Sequence, residues 1–273
     1  MRKFVYPILI FLCAIGFILW EQKIDKQESQ DNLEQEDFAS RDFNNQGIKK
    51  LSRKDLLPTS GNQVVHHHTY SLSYNELHEQ AEWTAHILNK SDIKEVDFKR
   101  PYFEIDDKIT TEAAHWKNYK NSGYDRGHLV PAGDRRATKA AYEETFLTSN
   151  ISPQEHEFNA GIWNRLEQKT RYYAKKHDQL YVITGPVLKR GLKSIGFDNV
   201  SVPEQYYKIL YRQTNDGGKM LAFLLPHRAS NESIYKYVSS VDQIESLTGI
   251  DFFSQLPDTI EKKLESSRDT SEW

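Results

Sequence analysis

The hydrophobic pattern of this chain changes character several times, and each change predicts an element. An uncharged run from Phe4 to Trp20 follows Arg2 and Lys3. Alternation in Tyr70-Ser-Leu-Ser-Tyr74 predicts a strand, whereas Ala81-Glu-Trp-Thr-Ala-His-Ile-Leu88 fits strand and helix equally well. Ser73-x-x-Glu76, just before it, has the form of a helix capping box. Ile162, Leu166, Tyr173 and Ala174 make an apolar stripe that predicts a helix from about Asn159 to Lys176. Leu180-Tyr-Val-Ile-Thr184, stopped by Gly185-Pro186, reads as a buried strand. Tyr206 to Arg212 and Met220 to Leu225 read as two strands joined through Asn215-Asp-Gly-Gly218, a hairpin signal. Val241 to Leu247 has helical spacing and stops at Gly249. Strands dominate, with helices between and after them and no repeated βαβ unit. That order predicts an α+β fold, a central, mainly antiparallel sheet flanked by helices.

The same pattern divides the chain into residues 1–20, a membrane anchor or signal segment; 21–60, a flexible acidic tether; and 61–273, the folded domain. At about seventeen residues the apolar run is at the short end of what spans a bilayer. Ile18-Leu-Trp-Glu-Gln22 offers no small-residue cleavage site, and bulky Phe11-Leu12 precede Cys13, which argues against lipid attachment there. An uncleaved anchor with its N-terminus inside is the favoured reading, and a cleaved, secreted form is the alternative. Either one places the domain outside the cytoplasm, periplasmic or extracellular.

Charge and cysteine usage narrow the chemistry. Between Glu21 and Asp42 acids outnumber bases strongly, and this stretch accounts for the formal net charge of −3; the folded part is close to neutral. A broadly basic nucleic-acid-binding surface is therefore excluded, and any phosphate recognition must rest on local positive charge. Cys13 is the single cysteine, so the folded part has neither disulfides nor a cysteine-based zinc site. His66-His67-His68 admits a metal-binding reading, but its place just before the alternating segment favours a strand entry.

The densest chemistry lies in Ser122-Gly-Tyr-Asp-Arg-Gly-His-Leu-Val-Pro-Ala-Gly-Asp134. Asp125-Arg126-Gly127-His128 puts a carboxylate, a phosphate-binding guanidinium and an imidazole that titrates near neutrality into four residues. Gly127 is expected to allow a tight bend that sends Arg126 and His128 to opposite sides. Two further segments are Thr148-Ser-Asn-Ile-Ser-Pro-Gln154 and Phe158-Asn-Ala-Gly-Ile-Trp-Asn-Arg-Leu-Glu167. Taken alone, Asn159 is an ordinary helix cap and Glu167 a solvated helix residue.

Together, Asp125 to His128, Ser149 to Gln154 and Phe158 to Glu167 resemble the three linked motifs of the DNA/RNA non-specific endonucleases, the ββα-metal (His-Me finger) enzymes that include endonuclease G. The similarity runs from about Val64 to Leu264. It implies a ββα-metal motif within the α+β fold and a metal-dependent endonuclease that hydrolyses DNA or RNA without regard to sequence. The resemblance makes His128 the general base, Asn159 the direct metal ligand and Arg126 the arginine beside the base. Glu167 becomes the carboxylate acting through metal-bound water, Asn150 the loop asparagine near the site, and Arg100, on a looser match, a further phosphate-facing arginine. The expected metal is Mg²⁺, with Mn²⁺ as the other candidate; the expected partners are nucleic acid, the membrane and a second copy of the chain. Two other functions fit less well: a phosphodiesterase of small nucleotides, and a catalytically silent nucleic-acid-binding or uptake protein. With His128 as a base of ordinary pKa, activity is expected to fall below pH of roughly 6.5.

Overall fold

A computed structural model describes residues 52–214 and 217–273. The apolar N-terminal run and most of the acidic tether lie outside the described residues, as do Asn215 and Asp216 of the hairpin turn. Among the described residues no helix is long and apolar enough to cross a membrane.

The strands are β1 (Gln63–His66), β2 (Ser71–Asn75), β3 (Gln80–Asn89), β4 (Asp125–His128), β5 (Ile151–Gln154), β6 (Gln179–Pro186), β7 (Ser194–Ile195), β8 (Val200–Ser201), β9 (Gln205–Arg212), β10 (Lys219–Pro226) and β11 (Val238–Ser239). The helices are α1 (Lys139–Glu144), α2 (Asn164–His177), α3 (Val241–Thr248) and α4 (Asp258–Glu265). Seven strands form one sheet in the order β1-β2-β3-β6-β9-β10-β11, with every neighbouring pair antiparallel. β4 pairs with β5, and β7 with β8, as separate two-stranded ribbons. The fold is thus α+β, as the element order predicts.

The large sheet is buried on both faces, which is why Leu180 to Thr184 reads as an unbroken apolar run rather than an alternating one. Leu180 and Val182 join the cluster containing Phe158, Trp163, Leu166 and Tyr173. Their neighbours Tyr181 and Ile183 join the opposite cluster, with Val241 and Ile244 of α3 and Leu264 of α4. Period-two alternation therefore hands each strand residue to one helix layer or the other. α3 ends where expected, at Gly249, whose φ of 71° supplies the left-handed cap.

Three local readings are settled by packing. Ala81 to Leu88 is strand, lying between β2 and β6. Ser73 caps no helix: it sits in β2 and its hydroxyl donates to Glu82 Oε1 at 2.6 Å. His67 is buried with Nε2 2.8 Å from Asp106 Oδ2, a structural pairing beside the end of β1. Ordered packing also starts upstream of residue 61, because Leu56 is buried in the same cluster as Trp83.

Gly185 in β6 supports a sharp test. A Cβ there would overlap the Glu82 carbonyl oxygen and the Tyr207 ring, whose hydroxyl donates to that carbonyl at 2.8 Å. An unstrained strand glycine replaced by alanine would gain stability through a less flexible unfolded chain. Here Gly185→Ala is expected to lose about 1–3 kcal/mol through overpacking, measured by urea denaturation; a gain would show that the sheet relaxes around the methyl group.

Candidate active site

β4, β5 and the helix that follows form one compact ββα unit. Asp125 faces Gln154 and His128 faces Ile151 across the ribbon. The chain then enters a π-helical turn, Phe158–Trp163, that runs on into α2, so the helix expected from Asn159 to Lys176 begins as an irregular turn with a non-helical Gly161. Gly127 differs from expectation. It lies in extended strand, not in a bend, and Arg126 and His128 both reach the same aromatic residue, Phe103. Glycine is needed because the buried Gln154 side chain occupies the space a Cβ would fill.

His128 and both arginines line an aromatic box. The His128 ring sits 5.7 Å from Phe103 and 4.9 Å from Phe146, the latter edge to face. Arg100 stands over the same two rings, 5.7 Å from Phe103 and 5.5 Å from Phe146. Arg126 lies over Phe103, Trp116 and Tyr119 at 5.5, 5.6 and 5.9 Å. Its Nε and Nη2 donate to the Trp116 carbonyl at 3.3 and 3.2 Å. A guanidinium has five N–H groups, so donors remain for an anion while the fork is held in place. Burial, and then the Arg100 charge, lower the His128 pKa to about 4. The imidazole is consequently neutral, and able to accept a proton, well below pH 6.5.

Asn159 is tied to the strand that carries His128. Its Nδ2 donates to Asp125 Oδ2 at 3.0 Å, and His156 Nδ1 lies 2.9 Å from the same oxygen. Engaging the NH₂ end fixes the amide and leaves the carbonyl oxygen as the end available to a cation. Asn150 has a different part. It is fully buried, accepts from Val130 N at 2.9 Å and donates to the Val130 and Thr145 carbonyls at 3.0 and 2.9 Å. Its own carbonyl takes the Leu129 N–H at 2.9 Å. With its amide engaged by backbone, Asn150 ties its loop to the two residues after His128.

Glu167 belongs to a buried charged cluster. Its Oε2 is 4.0 Å from Arg171 Nη1, one turn on, and that same nitrogen donates to Asp134 Oδ1 at 2.9 Å. Asp134 Oδ2 lies 3.4 Å from Nε2 of the fully buried His86. Burial opposes the Asp134 charge, but His86 and Arg171 outweigh it and hold the carboxyl at about 2. Lys208, buried in β9, donates to Thr184 Oγ1 at 2.6 Å with its Nζ 5.0 Å from the Trp163 ring centroid. Burial lowers its pKa, against the pull of Glu167 and Asp134. Burial likewise raises Glu167, with Lys208 and Arg171 opposing and Asp134 adding to the rise. Burial thus disfavours the charge of this carboxylate despite the nearby Lys208 and Arg171, and together with the oriented Asn159 oxygen it offers the oxygen donors that suit a divalent cation such as Mg²⁺.

Asp134, Arg171 and Lys208 are the contributors that sequence reasoning missed, and Asp125, singled out there as a carboxylate, was given no role. Signals existed: Arg171 sits at i+4 from Glu167, Asp134 closes the same polar stretch as His128, and Lys208 interrupts an apolar strand. The helix is laced to the chain on both sides of His128, by Asp125–Asn159 before it and Asp134–Arg171 after it.

Comparison with known proteins identifies the family. A family model described as DNA/RNA non-specific endonuclease matches residues 49–259. The mitochondrial nuclease EXOG of Danio rerio is 34% identical over 217 residues, covering 73% of this chain and 63% of that protein. A nuclease of Nostoc sp. is 32% identical over 226 residues, covering 77% and 80%. Among solved structures, the crystal structure of an EndoG/EndoGI complex superposes with a TM-score of 0.69 at 28% identity, covering 77% of this chain and 94% of that one. The chain thus spans less than two thirds of the length of the EXOG relatives.

The His128 environment is testable without a substrate. Its imidazole is expected to titrate by NMR near pH 4, and Arg100→Gln to move the midpoint upward. Because the folded pKa lies below the unfolded value of about 6.5, this group withdraws stability as pH falls from 6.5 through 4. A midpoint at 6.5, unmoved by the substitution, would contradict both causes.

Proposed function

Because this chain belongs to the DNA/RNA non-specific endonuclease family, we propose that it is a metal-dependent endonuclease hydrolysing phosphodiester bonds of DNA and RNA. The observation that carries the reading is the lacing of the helix that bears Asn159 and Glu167 to the chain on both sides of His128, through Asn159–Asp125 and Arg171–Asp134. It gathers a neutral base, the Arg126 guanidinium and cation-seeking oxygens on one ββα unit, with Arg100 standing beside it over Phe103 and Phe146. Asn159 would hold the ion through its amide oxygen and Glu167 through water, the ion being Mg²⁺ or, alternatively, Mn²⁺. When bound, it supplies positive charge at the phosphate and at the departing 3′ oxygen.

His128 takes a proton from the attacking water, and its depressed pKa keeps it competent in mildly acidic surroundings. Attack on phosphorus breaks the bond to the 3′ oxygen and leaves a 5′ phosphate. Arg126 and Arg100 bind the non-bridging oxygens and offset the charge that builds there. Such contacts carry no sequence information, in keeping with indiscriminate cleavage. Phe103 and Phe146 exclude water from the guanidinia and imidazole and strengthen those interactions. Asn150 acts by holding Leu129 and Val130, and so the end of β4. The neutral folded part makes binding modest and salt-sensitive. The N-terminal apolar run supports a domain held outside the cytoplasm, where an indiscriminate nuclease spares its own cell.

The test uses supercoiled plasmid, single-stranded RNA and a small phosphodiester, each with Mg²⁺ or with EDTA. Nicking of plasmid and RNA with Mg²⁺ alone is expected. His128→Ala should lose about 10²–10⁴-fold in rate, the usual worth of a positioned base, and Asn159→Ala should lose metal dependence along with activity. Turnover confined to the small ester, or binding without cutting, would replace this reading.

A further inference from the structure

Beside Arg126 the surface carries an aromatic row that phosphate chemistry does not use. The Trp116 and His115 ring centroids are 5.0 Å apart, and the His115 and Phe197 centroids 6.2 Å apart. Arg126, 5.6 Å from the Trp116 ring, joins this row to the site. Lys117 Nζ, 5.6 Å from the same ring, adds positive charge beside it. Phe197 at the far end is 65% exposed.

A single exposed apolar residue is common on protein surfaces. What distinguishes Phe197 is the rigidity with which it is presented. It caps the ribbon of β7 and β8, strands of two residues each, too short to be stable by themselves. The ribbon tip is locked instead to the loop that carries His115 and Trp116. Asn118 Oδ1 accepts from Asp198 N at 2.9 Å, while Asn118 Nδ2 donates to Asp198 Oδ2 at 2.6 Å. The same carboxylate oxygen accepts from His115 N at 2.9 Å. Gly196 closes against this lock with a φ of 70°, and a Cβ there would overlap Asn118. Both neighbours of Phe197 are therefore fixed while its ring stays in solvent. Asp198 Oδ2 lies inside the lock, so that oxygen is engaged by donors instead of facing an incoming strand.

Tilted aromatic rings, half-exposed at Trp116 and His115 and open at Phe197, lie beside a phosphate-binding guanidinium; together they match the chemistry of a single nucleic-acid strand, whose backbone is anionic and whose bases expose their faces. In an intact duplex those faces are covered by neighbouring bases. We propose that Trp116, His115 and Phe197 form a stacking subsite for unpaired bases, which makes single-stranded or locally opened nucleic acid the preferred substrate. This rests on the nuclease reading of the adjoining site.

The test compares wild type, Phe197→Ala and Phe197→Trp. Binding to labelled oligothymidylate and to a duplex of equal length is followed by fluorescence anisotropy in EDTA; KM and kcat on both are then measured with Mg²⁺. Phe197→Ala is expected to weaken binding and raise KM on the single strand about tenfold, within the range for removing one stacking platform. Its kcat and its duplex constants should stay within about twofold, and Phe197→Trp should restore single-strand binding. Equal losses on both substrates, no loss on either, or absence of single-strand binding by wild type would overturn the proposal. A wild type that cuts nothing yet binds single strands through Phe197 would sink the nuclease reading alone.

Discussion

The site depends on a helix held against a strand by charge. Asp125 and Asp134 flank His128 in sequence, and each reaches α2 or its first turn: Asp125 through Asn159, Asp134 through Arg171. Asp134 is buried and paired with Arg171, where breaking the pair from one side costs on the order of 3–5 kcal/mol; Asp125 is partly exposed and adds a weaker hydrogen-bonded tie to Asn159. That cost discourages the helix from sliding along the hairpin. Apolar packing of Phe158, Trp163 and Leu166 supplies the adhesion; the two carboxylates supply the register.

Burial then sets the chemistry of the groups so placed. The same low-polarity surroundings keep His128 neutral, raise Glu167 and lower Lys208, so each is biased against its own charge. A neutral imidazole is ready to accept a proton, and a carboxylate whose charge burial disfavours gains from a cation brought beside it. The aromatic wall of Phe103 and Phe146 serves both ends, orienting the guanidinia by their faces and drying the imidazole.

Much of this was legible in the sequence, for identifiable reasons. Leu180 to Thr184, the β9–β10 hairpin and the Gly249 stop are local patterns that the packing left in place, unlike the Ser73 capping box, which β2 absorbed. His128, Asn159 and Glu167 stood out through three linked motifs, and the chain does place them on one ββα unit. Features that depend on long-range contacts were hidden. Gly127 looked like a bend and proved to be clearance for Gln154, a residue on the other strand. Asn150 was legible only as the loop asparagine near the site; that its amide is consumed by Val130 and Thr145 depends on contacts which only the folded loop brings within reach. Lys208 gave a visible irregularity in an apolar strand, but its meaning lay in the charge of Glu167, on a helix well before it in the chain.

In the proposed nuclease the His128 strand and the Asn159 helix form one metal site. Paramagnetic broadening by Mn²⁺ tests it most directly, since the effect falls steeply with distance from the ion. On titration with Mn²⁺, the His128 ring signals should broaden strongly in the wild type and remain sharp in Asn159→Ala. His128 signals that stay sharp in the wild type at saturating Mn²⁺ would place the ion elsewhere and contradict the account.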